Sequence, residues 1–141
     1  MSTDYLHGYT DDERTRLRAQ AQVLSPWIHR DLPYATSQDL LELGCGTGAQ
    51  LALLLDAFPA LRVTGIDRAV DQLAAAAHTL GRYGDRALLR AADATDLPFT
   101  SGAFDAGFLC WILEHLEHPA AALRELHRVL VPGSPVVVTR W

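Results

Sequence analysis

Lysine is absent from the 141 residues, so all 12 basic side chains are arginine. That excludes Schiff-base chemistry on a lysine and the phosphate-loop Gly-Lys-Ser/Thr signature. Cysteine occurs only at Cys45 and Cys110, too few for a disulfide framework or a zinc knuckle. Basic charge is also in deficit. With 17 acidic residues the formal net charge is −5, which argues against a surface that tracks phosphate backbones, and no nucleic-acid partner is expected. Although 49% of the residues are hydrophobic, no apolar run approaches the roughly 18 residues of a membrane helix. The first nine residues, Met-Ser-Thr-Asp-Tyr-Leu-His-Gly-Tyr, carry neither the basic nor the apolar region of a secretory leader. The expectation is a cytoplasmic protein with no membrane partner. Neither a Gly-x-Ser-x-Gly elbow nor a His-Glu-x-x-His pair occurs.

What the chain does contain is an alternation of strand and helix patterns within one domain's length. Thr-Asp-Asp-Glu at residues 10–13 fits a capping box, and Leu17, Ala21, Leu24 and Ile28 recur at helical spacing. An amphipathic N-terminal helix is therefore expected, with a connector over residues 31–38. Strands are expected at residues 39–43, 61–66, 87–91, 104–109 and 135–139. Helices are expected from Leu51 to a stop before Pro59, over residues 70–80 closed by Gly81, and after Pro119 with Leu123, Leu126 and Leu130 on one face. This order predicts an α/β fold: a Rossmann-like, doubly wound parallel sheet of about five strands, helices on both faces, and an N-terminal helical cap. Residues 1–38 read as the cap and residues 39–141 as the core.

In such a sheet ligands sit beyond the carboxyl ends of the strands. Glu42 to Gly48, Asp67, Asp93 and Cys110 all fall at expected strand ends. The sequence Leu-Leu-Glu-Leu-Gly-Cys-Gly-Thr-Gly-Ala, residues 40–49, ends an apolar strand in a glycine-rich turn. Gly44, Gly46 and Gly48 suit a tight turn and close backbone approach to a ligand. The same loop satisfies the dinucleotide pattern Gly-x-Gly-x-x-Gly/Ala, with Asp67 at about the expected 20-residue distance to bind a ribose. Glu42 weighs between the cofactors. An acid at the crevice floor repels a pyrophosphate and attracts the ammonium and sulfonium of S-adenosylmethionine.

Here the chain resembles the class I S-adenosylmethionine-dependent methyltransferases that act mainly on small molecules, over roughly residues 39–139. Leu-Glu-Leu-Gly-Cys-Gly-Thr-Gly is similar to the family's first motif, which implies that Glu42, Gly44, Cys45, Gly46 and Gly48 lie against the methionine part of the cofactor. Gly65-Ile66-Asp67 resembles the second-strand end, which implies that Asp67 binds both ribose hydroxyls while Arg68 and Ala69 flank the adenine. Asp93-Ala94 with Leu97-Pro98-Phe99 resembles the loop that reads the adenine amino group. Phe104-Asp105 and Leu113-Glu114-His115 resemble the strand-four motif, with Cys110 at the strand's end. Residues 120–133 match the run into strand five. The segment from Tyr5 to Tyr9 is similar to caps that close over the cofactor. The resemblance implies methyl transfer to a small-molecule acceptor; the alternatives are a noncatalytic binding or regulatory subunit and, at a distance, a nicotinamide-dependent oxidoreductase.

Methyl transfer is an in-line displacement that depends on alignment and water exclusion, so a base is optional. His115, His7 and Tyr9 are the candidates if the acceptor is a hydroxyl. Glu114, His115, Glu117 and His118 form a string with some metal-ligand spacing, but Pro119 interrupts a long helix and no metal is expected. Trp111 has two readings, acceptor pocket or packing. Family members continue past strand five with further strands, whereas Trp141 follows strand five here. The expected edge of Val136, Val137 and Val138 is a pairing hazard, which a longer protein, a homo-oligomer or a partner chain would relieve.

Overall fold

The computed structural model describes Asp12, Thr15 and residues 32–139. Of the expected N-terminal helix only Asp12 and Thr15 are described, both helical; the rest of the cap, with His7, Tyr9 and Trp141, lies outside the described residues. The sheet is built from β1 (Asp39–Leu43), β2 (Arg62–Asp67), β3 (Ala87–Ala91), β4 (Ala106–Cys110) and β5 (Val136–Thr139). Its order is β3-β2-β1-β4-β5, and every pairing is parallel. Helices α1 (Ala49–Ala57), α2 (Val70–Leu80) and α3 (Pro119–Val129) supply the crossovers.

Alternation along β1 divides the core. Leu40 joins Leu51, Leu54, Leu55 and Leu80 on the face covered by α1 and α2. Leu41 and Leu43 join Ala122, Leu126 and Val129 of α3 on the other face. The sheet is thus doubly wound, as the alternating pattern implied. Because the chain runs from β1 outward to β2 and β3 on one side and then crosses back to β4 on the other, the carboxyl ends of β1 and β4 frame the topological switch point.

Tertiary partners adjust several boundaries. Leu61 closes a turn instead of opening β2, its amide donating to the Phe58 carbonyl at 3.0 Å. β4 starts two residues later than expected and includes Cys110, while Phe104 makes only an isolated bridge to Leu130. Asp105 lies at the amino end of β4, away from the switch point, where its carboxylate accepts the backbone N–H groups of Gln38 and Asp39. α2 ends at Leu80, but Gly81 keeps a right-handed φ of −56° and leads into a 3₁₀ segment, Gly81–Arg86. The left-handed residue is Gly84, at φ 58°. Tyr34, in the expected connector, is fully buried and donates its hydroxyl to the Gly107 carbonyl at 2.6 Å.

Candidate functional site

The glycine loop leaves β1 through three left-handed residues, Gly44, Gly46 and Gly48, at φ 71°, 55° and 79°. A β-carbon on Gly44 would overlap Cδ1 of Ile112, whereas one on Gly46 would meet nothing within 4 Å. The first glycine therefore lets the loop lie against the residues following β4. The second opens onto free space. Cys45 N–H donates to the Ile66 carbonyl at 2.9 Å, and Gly48 N–H to the Cys45 carbonyl at 2.9 Å, so the turn is tied to β2 and to itself.

Asp67, the last residue of β2, braces the same turn. One carboxylate oxygen accepts Gly46 N–H at 2.9 Å and the other accepts Ala69 N–H at 2.9 Å, just before α2. Each oxygen retains acceptor capacity for a further donor. Arg68 beside it is exposed. Two residues beyond β3, Asp93 folds onto Thr95, accepting its N–H at 2.9 Å and its hydroxyl at 2.8 Å; these bonds hold the carboxyl below its ordinary value. Ala94 and Leu97 are buried in the α3-side core. Arg128 of α3 fixes this segment by donating to the Phe99 carbonyl at 2.8 Å and the Leu97 carbonyl at 3.1 Å, while Glu125 accepts Leu97 N–H at 2.9 Å.

Glu42 is the anomaly. It sits on β1 opposite Gly65 of β2 and Phe108 of β4, only 2% exposed, and its Oε1 has no hydrogen-bond partner among the described residues. Desolvation, reinforced by the charge of Asp67, raises its carboxyl well above the ordinary range. An unpaired acid costs stability at such depth, and a cationic group brought beside it would relieve that cost. Burial likewise raises the Cys45 thiol and pushes the Cys110 thiol up to about 12, so neither is an activated nucleophile.

The structure thus gathers Glu42, the glycine turn and Asp67 directly, with Asp93, Ala94 and Cys110 at neighbouring strand ends. His115 occupies an exposed 3₁₀ turn, Leu113–His115, whose amide bonds the Ile112 carbonyl at 2.9 Å. Among the described residues no group of three or more potential ligands could hold a metal ion. Two further candidates went unnoticed in the sequence. Gln50 and Gln72, in the first turns of α1 and α2, are buried with unpartnered Oε1 atoms. The only sequence signal was an amide among the apolar residues that open these helices.

Residues 41–138 match the family described as the methyltransferase domain. The chain belongs to that family. The methyltransferase domain is 34% identical over 148 aligned residues to the O-methyltransferase cnsE of Penicillium expansum, covering 98% of this chain and 51% of that one. Among solved structures, the (4+2)-cyclase SpnF is 29% identical with a TM-score of 0.67, over 92% of this chain and 46% of that chain. The Haemonchus contortus phosphoethanolamine N-methyltransferase 2, solved with phosphomonomethylethanolamine and S-adenosylhomocysteine, is 25% identical with a TM-score of 0.70, over 85% of this chain and 27% of that chain. The methyltransferase domain described here spans about half the length of the curated relatives it matches.

Proposed function

We propose that this domain binds S-adenosylmethionine and serves methyl transfer to a hydroxyl of a small-molecule acceptor. The single observation that carries the reading is the buried, unpaired Glu42 beneath a glycine turn that is open at Gly46. A cofactor with an ammonium group fits that floor, whereas a dinucleotide pyrophosphate would meet a carboxylate. The hydroxyl preference is supported by the resemblance to an O-methyltransferase.

In this reading Glu42 holds the ammonium, and the backbone of Gly44, Cys45, Gly46 and Gly48 lies along the methionine part. Asp67 takes the ribose hydroxyls on its remaining lone pairs. Arg68 borders the adenine, Asp93 and Ala94 border its amino group, and Cys110 closes the crevice from β4. The bound cofactor supplies a methyl carbon already activated by a sulfonium. The protein's task is then to fix the acceptor oxygen in line and to exclude water. His115 is the described residue best placed to take the hydroxyl proton, its imidazole being exposed beyond β4. His7 and Tyr9 extend that set from residues 1–38, which we assign as a cap over the core at residues 39–141.

The two free thiols support a reducing, cytoplasmic setting. Among the described residues no helix is long and apolar enough to cross a membrane. The exposed valines of β5 support pairing with a second copy of the chain or a partner chain.

Calorimetric titration of the purified protein with S-adenosylhomocysteine and, separately, with NAD tests the cofactor. Heat is expected from the first alone, and Asp67→Ala should abolish it; binding of NAD alone would sink the reading. The cyclase among the relatives supports a second reading, binding without methyl transfer. Cofactor binding with no turnover across hydroxyl acceptors would favour it.

A further inference from the structure

From the end of β4 the chain breaks the alternation that a strand imposes. Phe108 and Cys110 belong to the core on the α1 and α2 side, and Leu109 to the core on the α3 side. Strict period-two geometry would therefore send Trp111 to the α3 side and Ile112 back to the other. The reverse is observed for Ile112. It packs with Leu109, Leu113 and Leu116 in the α3-side core, and its Cδ1 fills the space above Gly44.

The cause is Trp111 itself. Its φ of 57° makes it the one non-glycine left-handed residue among those described. For a bulky side chain that conformation is strained, because Cβ crowds the following carbonyl oxygen. The strain is held in place on both sides: Trp111 N–H donates to the Thr139 carbonyl at 2.8 Å, and the following 3₁₀ turn is closed by the bond from His115 N–H to the Ile112 carbonyl. The core position that alternation reserves for Trp111 is thus taken by Ile112. Trp111 is half-buried just past the carboxyl end of β4, and its neighbour Ile112 packs over Gly44 of the glycine turn. Strained residues persist where the surrounding structure over-determines them, and they cluster at ligand sites.

We infer that Trp111 is the acceptor-positioning residue of this site and that it takes a planar aromatic acceptor carrying the hydroxyl. The inference rests on the methyltransferase reading above. An indole offers a broad, rigid apolar surface that favours offset stacking or edge contact with a flat ring, and it gives much less to a puckered saturated one. The left-handed backbone takes Trp111 out of the alternation that β4 imposes. The structure keeps the costly arrangement.

The probes are 2-naphthol and its saturated counterpart decahydro-2-naphthol, which share a carbon skeleton and a single hydroxyl. Binding of each is measured by calorimetry on the whole protein saturated with S-adenosylhomocysteine. Wild-type protein should prefer 2-naphthol by about two- to tenfold, in keeping with the scale of aromatic pair interactions. Trp111→Phe should retain that preference and Trp111→Ala should lose it, while the affinity of both variants for S-adenosylhomocysteine stays unchanged. Trp111→Gly, which relaxes the left-handed backbone, should also lose the preference while melting no lower than Trp111→Ala. Absence of any planar preference in wild type, or its persistence in Trp111→Ala, would overturn the inference. Failure of wild type to bind S-adenosylhomocysteine would instead overturn the methyltransferase reading on which it stands.

Discussion

At the scale of single residues, Glu42 links folding stability to pH. Its carboxyl is raised in the folded chain above the ordinary 4.5 of the unfolded one. Between those two values the folded state holds more protons than the unfolded state, so stability falls as pH rises through that window. Glu42→Gln removes the titration. The melting temperature of the cofactor-free variant should therefore gain on wild type as pH climbs above about 5, the lower edge of that window. An unchanging difference across pH would show that Glu42 does not resist ionisation. The same variant should bind S-adenosylhomocysteine at least about 30-fold more weakly, the lower end of what losing one partner of a buried charge pair costs. The glycines divide similarly. Gly44→Ala combines a left-handed alanine with a clash on Ile112 and should cost about 2–5 kcal/mol in urea unfolding. Gly46→Ala meets only the backbone cost of about 1–2 kcal/mol, yet it places a methyl in the open space of the turn and should weaken cofactor binding disproportionately. Equal stability losses would contradict the different surroundings of the two glycines.

At the scale of elements, the loop after β3 depends on α3. Arg128 holds the Leu97 and Phe99 carbonyls while Glu125 holds the Leu97 amide. Arg128→Met should speed amide hydrogen exchange over residues 95–99 and leave β1 protected; unchanged exchange would mean that burial of Ala94 and Leu97 alone fixes the loop. Neither this brace nor its partner was legible in the sequence, because nothing local marks an arginine of one helix as serving carbonyls some 30 residues away. The elements themselves were more legible. β1 and β3 have the expected bounds, since each is a short apolar run between polar turns. β4 is shorter at its start because Asp105 is engaged by the amides of Gln38 and Asp39, a long-range contact. Beyond Gly81 the chain stays compact for similar reasons: Tyr83 reaches Ala52 and Asp56 of α1, and Arg86 reaches the carbonyls of Leu55, Phe58 and Leu61. The glycine turn and Asp67 were legible from spacing. That Asp67 also braces Gly46, and that Glu42 is left unpaired, required the fold.

At the scale of the whole molecule, the two sheet edges differ in protection. β3 carries Arg90 on its edge, whereas Val136–Thr139 carries no charge and pairs only with β4 among the described residues. Val136 and Val138 are 41% and 43% exposed, and Val136 also lines an apolar depression with Leu123, Leu126 and Leu130 of the α3 side. An uncharged edge with unused backbone donors and acceptors invites another strand, and a lysine there is the common natural deterrent. Val138 lies at the carboxyl half of β5, opposite Leu109, and its exposure means that a lysine in its place keeps its charge in water. Val138→Lys should therefore leave the melting temperature within a few degrees, because exposed substitutions generally shift stability by no more than about 0.5 kcal/mol. It should shift the wild-type protein toward monomer in sedimentation velocity at micromolar concentration. Wild-type protein that sediments as a monomer at every concentration would remove the edge as a site of self-association. A dimer that persists in Val138→Lys would place the contact on another surface.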